Sequence, residues 1–153
     1  MSDEQAAQAV TLGEALIAAL RAGAARLDGR VAACWAKAAA VLEAELPALL
    51  RGAGSDAPWA QTLRNAWFGP PRFPEDNVDG LEAVWSAGQM AAALADLVSE
   101  VAVDESEEDF VAVWNSLAAL DDDAERARSW CMAAVAGNVT AWVPDELVVA
   151  LTG

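Results

Sequence analysis

Histidine and tyrosine are absent from the 153 residues, lysine occurs once, and cysteine twice. The missing histidine removes the usual general base, the commonest metal ligand and any serine–histidine or cysteine–histidine nucleophile pair. A di-iron bundle built on Glu-x-x-His is excluded for the same reason. The chain also has no Gly-x-Ser-x-Gly, no phosphate loop ending in Gly-Lys-Ser/Thr and no Gly-x-Gly-x-x-Gly. Lys37, the sole lysine, falls inside a helical pattern beside Trp35, where a snorkelling surface residue is the ordinary reading and a Schiff-base amine the rare one. Carboxylates such as Asp96 with Glu100 remain, yet their i, i+4 spacing is equally that of a solvated helix face. The expectation is a non-enzymatic protein with no cofactor and no metal.

The other scarcities narrow location and partner. Cys34 and Cys131 each sit in an apolar helical pattern, which favours buried free thiols over a disulfide. No window of about 18 uncharged apolar residues reads as a membrane span, and the opening "MSDEQAAQAV" has neither the basic start nor the apolar run of a signal peptide. A cytoplasmic protein is expected. Eight Arg beside a single Lys, with many Ala, fit the codon usage of a GC-rich bacterial genome. Cations are few: 9 bases face 24 acids, a net charge of −15. Residues 1–72 balance seven acids with seven bases, so the whole excess lies in residues 73–153, where only Arg126 and Arg128 are basic. A surface of that sign repels nucleic-acid backbones and anionic membranes, because binding either requires cations to displace counterions. Direct nucleic-acid or membrane binding is not expected; a protein with a basic surface is.

What the chain does have is material for a core. The hydrophobic fraction is 56%, with seven Trp, above the roughly 45–50% of ordinary globular chains. Helical periodicity dominates and no sustained strand-like alternation occurs, so the fold class is all-α: a compact bundle of about six or seven helices without a substantial sheet. The patterns predict helices over 3–27, from Val31 through Leu49 with a kink or restart at Pro47, a short one carrying Trp59, Leu63 and Trp67, then 80–103, 107–120 and 123–136. "VTAWV" is ambiguous, and "PDELVVAL" reads as a short last helix. Ser55 or Asp56 is expected to cap the third helix, with Pro58 in its first turn. Gly13 and Gly23 weaken the first helix by about 1 kcal/mol each relative to Ala. One domain spanning 1–153 is expected, with a neutral part (1–69) and an acidic part (80–153) joined by the Pro/Gly-rich loop 69–80.

The acids gather in two bursts, Asp104, Glu105, Glu107, Glu108 and Asp109, then Asp121, Asp122, Asp123 and Glu125, separated by the uncharged "FVAVWNSLAAL". Neither burst has the ligand spacing, central glycine and terminal Glu of a calcium loop. Both coincide with expected helix starts, where carboxylates near unpaired N–H groups are each worth about 0.3–1 kcal/mol, and Ser106 to Asp109 and Asp122 to Glu125 resemble capping boxes. Capping is the leading account. One or two carboxylates suffice for a cap, however, and the surplus leaves room for a partner rich in Arg or Lys. Three uncharged stretches, Ala83 to Ala95, Phe110 to Leu120 and Ser129 to Pro144, add a second hint. A helix apolar all round must be enclosed, and one small domain cannot easily enclose three. Some of that surface therefore awaits another chain, by self-association or with a heteromeric partner.

The expected partner-binding residues are Asp104, Glu105, Glu107, Glu108, Asp109, Asp121, Asp122 and Asp123, with Trp114 and Trp130 as anchors. The expected function is a protein-interaction module: an acidic helical adaptor, chaperone-like or immunity-type subunit of a complex. The alternatives are an inhibitor that imitates nucleic acid in a basic groove, and a carrier whose tryptophans line a pocket for an apolar ligand. Core packing is the more ordinary fate of those tryptophans.

Overall fold

A computed structural model describes residues 3–69 and 81–135. Among them the fold is all-α, with six helices and no strand. Helix α1 (Asp3–Arg26) and α2 (Gly29–Leu50) form an antiparallel hairpin whose turn is made by Gly29 at φ 59°, a left-handed conformation that favours glycine. The two α1 glycines sit where α2 presses closest. A Cβ at Gly13 would lie 2.6 Å from Leu46 Cδ1, and one at Gly23 the same distance from the Trp35 ring. Their weak helix propensity is thus the counterpart of tight packing. Pro47 lies inside α2 on its exposed side, and the helix runs on to Leu50 without restarting.

Helix α2 ends in a Schellman motif: the N–H of Gly52 donates to Leu49 O (3.0 Å) and that of Ala53 to Ala48 O (2.9 Å), with Gly52 at φ 74°. Helix α3 (Pro58–Phe68) then starts on Pro58 as expected, but its cap is Ala57. Ser55 serves one step earlier, its Oγ accepting the Ala57 N–H at 3.0 Å. The α3 stripe Trp59, Leu63 and Trp67 is buried.

Helix α4 (Leu81–Val101) is the central element, packed against α2, α3, α5 and α6. Its uncharged body is enclosed, with Val84, Met90, Leu94, Leu97 and Val98 all at most 3% exposed. It closes in a 3-10 turn (Ala102–Asp104), which leads to α5 (Glu107–Ser116) and α6 (Ala118–Val135). Small residues let α6 approach α4: a Cβ at Gly88 would stand 2.7 Å from the Ala127 Cβ. One core cluster draws on every helix from α1 to α5, from Ala9 to Leu117.

Two expectations about the last helices need correction. The fifth helix ends at Ser116 instead of Leu120, and the sixth begins at Ala118 instead of Asp123. Consequently Asp122 and Glu125 lie inside α6 and form no capping box; Leu117 O takes the N–H groups of Leu120 (3.0 Å) and Asp121 (3.1 Å). The "VTAWV" segment, the "PDELVVAL" helix, Trp142 and most of loop 69–80 lie outside the described residues. Cys34 and Cys131 are buried, and no disulfide joins them. No described helix is long and apolar enough to cross a membrane.

Candidate interaction face on helix α5

Helix α5 begins on a side-chain cap. The Asp109 N–H donates to Ser106 Oγ (3.2 Å), and the Ser106 hydroxyl in turn donates to Asp109 Oδ2 (3.0 Å). The first bond is that of the capping box expected at Ser106 to Asp109, but the Asp109 carboxylate takes the Ser106 hydroxyl and not its backbone N–H, so half of the box is formed. One side of the helix is fastened inward. Val113 and Leu117 are 1% and 2% exposed, and Phe110 packs half-buried against the core. Two polar links tie the same region to α2. Trp35 Nε1 donates to Ser116 Oγ at 2.9 Å. The Arg30 guanidinium grips Glu105 with both arms, Nε on Oε2 at 3.1 Å and Nη2 on Oε1. That paired cation, foremost through its hydrogen bond, holds the Glu105 carboxyl below its ordinary range. Burial, with the Glu105 charge second, pushes the neighbouring Cys34 thiol up, and Cys131 is pushed up by burial to about 11. Neither thiol has the lowered pKa of a reactive cysteine.

The opposite side of α5 is bare. Val111 is 50% exposed and Trp114 56%. The Trp114 ring stacks on Phe110, centroids 6.3 Å apart and planes 23° from parallel, so the indole is braced from within while its other face meets water. Glu107, Val111 and Trp114 follow one another at helical spacing on α5, and Ala118, Asp121 and Asp122 belong to the start of α6; all are exposed. The outcome on α5 is an exposed stripe, acidic where the helix starts and apolar beyond, with the acids of α6 following past the break at Leu117.

The expected site residues divide accordingly. Asp104, Glu107, Glu108 and Trp114 are exposed at or on α5, and Asp121 and Asp122 are exposed at the start of α6. Three others are engaged within the chain: Glu105 with Arg30, Asp109 with Ser106, and Asp123 with Arg126. Trp130 belongs to α6, and its side chain lies outside the described ones. Sequence reasoning passed over Val111, although its place four residues after Glu107 and three before Trp114 would have put it on the stripe. Among the other tryptophans, Trp35, Trp59 and Trp67 are core residues. Lys37 is exposed on α2. Among the described residues no group of three or more His, Cys, Asp or Glu side chains converges on a metal-sized site.

No protein family matches this chain, and neither does any curated protein or solved structure. The functional reading therefore rests on the geometry alone.

Proposed function

We propose that the chain is a non-enzymatic protein-interaction module that docks a partner with a basic surface on the bare side of α5. The observation carrying this reading is a tryptophan left 56% exposed beside a valine at 50%, on a helix whose other side is packed and hydrogen-bonded. A large aromatic braced in one orientation loses little side-chain freedom on binding, and such residues commonly dominate interface energetics. The acids at the start of α5 and at the start of α6 supply orientation and faster encounter with a cationic surface. Symmetric pairing of two α5 faces would set carboxylates near carboxylates, so like charge opposes self-association through this face.

A nucleic-acid mimic would need its carboxylates spread along the exposed face, but residues 110–120 carry none. Affinity capture from the native cell, run in parallel with the intact chain and with Val111→Ser/Trp114→Ser, separates the readings. Retention of a basic protein by the intact chain, its loss from the double variant and its survival at moderate salt support docking. Retention unaffected by the double variant, with release by salt alone, would replace docking by electrostatic mimicry.

A further inference from the structure

We infer that the break between α5 and α6, and with it the direction in which the Trp114 face points, is set from outside the two helices, by the hydrogen bond that Trp35 of α2 donates to Ser116. The local sequence offers no reason for a break: residues 110–120 carry no charge, proline or glycine, and a helix that runs through is the ordinary outcome of such a stretch. The hydrogen bonds at the junction supply the reason. In a continuous α-helix Val113 O would accept the N–H four residues on, that of Leu117. Here the Leu117 N–H goes to Trp114 O at 3.1 Å, and Val113 O is taken by the Ser116 hydroxyl at 2.5 Å. A serine that bonds back to a carbonyl of the preceding turn competes with the helix ladder and bends it. A hydroxyl has one proton to give, and it rotates to suit the bonds its oxygen accepts. Trp35 Nε1 donates to Ser116 Oγ at 2.9 Å, which directs the serine proton to Val113 O.

Trp35 is held too firmly to follow the serine. It is 8% exposed, and α1 passes so close that a Cβ at Gly23 would lie 2.6 Å from its ring. A buried indole N–H needs an acceptor, and Ser116 provides it. The two helices also have different attachments. Helix α6 lies against α4 where Gly88 and Ala127 meet, while α5 is fastened to α2 through Ser116 and, just before its first turn, through Glu105 and Arg30. The break lets each follow its own neighbour. Trp35 and Ser116 are thereby positioning residues, aiming Val111 and Trp114 without belonging to the exposed stripe; this consequence rests on the docking reading, whereas the break itself does not.

Spin labels at Glu108→Cys and Arg128→Cys in the whole chain read the break directly, the native thiols being buried. The two positions are 20 residues apart, so a straight helix would hold them about 30 Å apart and a bent one nearer. The intact sequence should give the shorter distance. Ser116→Ala and Trp35→Phe should each lengthen it towards the straight value, and Ser116→Thr, which keeps the hydroxyl, should leave it as in the intact chain. A straight-helix distance in the intact sequence, or no lengthening in Ser116→Ala, would overturn the inference. Lengthening in Ser116→Ala that Trp35→Phe does not share would also overturn it, because the serine alone would then make the break. Affinity capture with the same variants reads the consequence for docking: Ser116→Ala should lose the partner that the intact chain retains, and Ser116→Thr should keep it. If the distance moves while the partner leaves Val111→Ser/Trp114→Ser but stays with Ser116→Ala, the positioning role falls. If the partner stays with both, the docking reading falls and the distance alone decides the break.

Discussion

A methyl group added at Gly88 would stand 2.7 Å from the Ala127 Cβ, a neighbour that can retreat only if α6 moves away from α4. Added at Gly13, it would meet the far end of the Leu46 side chain, which can rotate. Replacing glycine by alanine in a helix gains about 1 kcal/mol of propensity, whereas overpacking costs about 1–3 kcal/mol. Gly88→Ala should therefore lower unfolding stability by about 1 kcal/mol or more, and Gly13→Ala should be near neutral, as denaturant titration would show. Two carboxylates give opposite pH responses. Glu105 is held low by Arg30, so its contribution is fully present above the ordinary glutamate value of about 4.3 and is lost as pH falls through the lowered one. Glu105→Gln should thus reduce Tm at neutral pH, with the deficit closing in acid. Asp96 is pushed up by burial and then by the charge of Asp121, so ionising it opposes folding. Asp96→Asn should raise Tm slightly at neutral pH, and the gain should vanish once the wild-type group is protonated.

As an element, α5 has a lighter hold than α4. It is anchored by Val113 and the junction residue Leu117, by the Ser106 cap and by the links to Trp35 and Arg30, whereas α4 buries a run of side chains from Val84 to Val98. Few buried contacts place a segment at the low end of local stability. Amides of residues 107–116 should accordingly exchange hydrogen faster than those in the middle of α4. Ser106→Ala removes a cap worth about 1 kcal/mol, which corresponds to roughly fivefold faster exchange in α5. No change in α4 is expected if the opening is local. Most of the element pattern was legible in the sequence. The stripes of α2, α3 and α4 have clean periodicity, Pro58 announces the α3 start, and Ser106 with Asp109 announces α5. The break at Leu117 was not legible, because "SLAAL" contains no stop residue and the three aspartates after it imitate a start signal. Half of the site was readable: Trp114 and the acidic ends stand out by residue type. The roles of Glu105 and Ser116 do not, since Arg30 and Trp35 lie 75 and 81 positions away and local pattern carries no trace of such pairs. The interhelical role of the glycines was hidden in the same way.

For the molecule as a whole, the question is whether the surplus negative charge serves folding or recognition. Among the described residues three ion pairs form, Arg21–Glu43, Arg30–Glu105 and Arg126–Asp123, and each involves an exposed arginine. Such pairs are worth about 0–1 kcal/mol each, so they offset little of the repulsion in a chain of net charge −15. The screening length shrinks from about 30 Å at 0.01 M salt to about 3 Å at 1 M, so added sodium chloride should raise Tm. A gain near 1 kcal/mol would appear as about 2–4 °C for a chain of this size. Asp121 and Asp122 make the decisive pair of substitutions, because the two explanations of acidic clusters predict opposite signs there. If they stabilise the start of α6, Asp121→Asn/Asp122→Asn lowers Tm and leaves partner binding alone. Asp121 does lie in the first turn of α6, but its charge also bears on Asp96 and both acids add to a surplus that few cations offset, so neutralising the pair should instead raise Tm at low salt, reduce its salt dependence and weaken docking on α5. Differential scanning at low and high salt, beside a binding titration of the same variant, reads both arms of that trade.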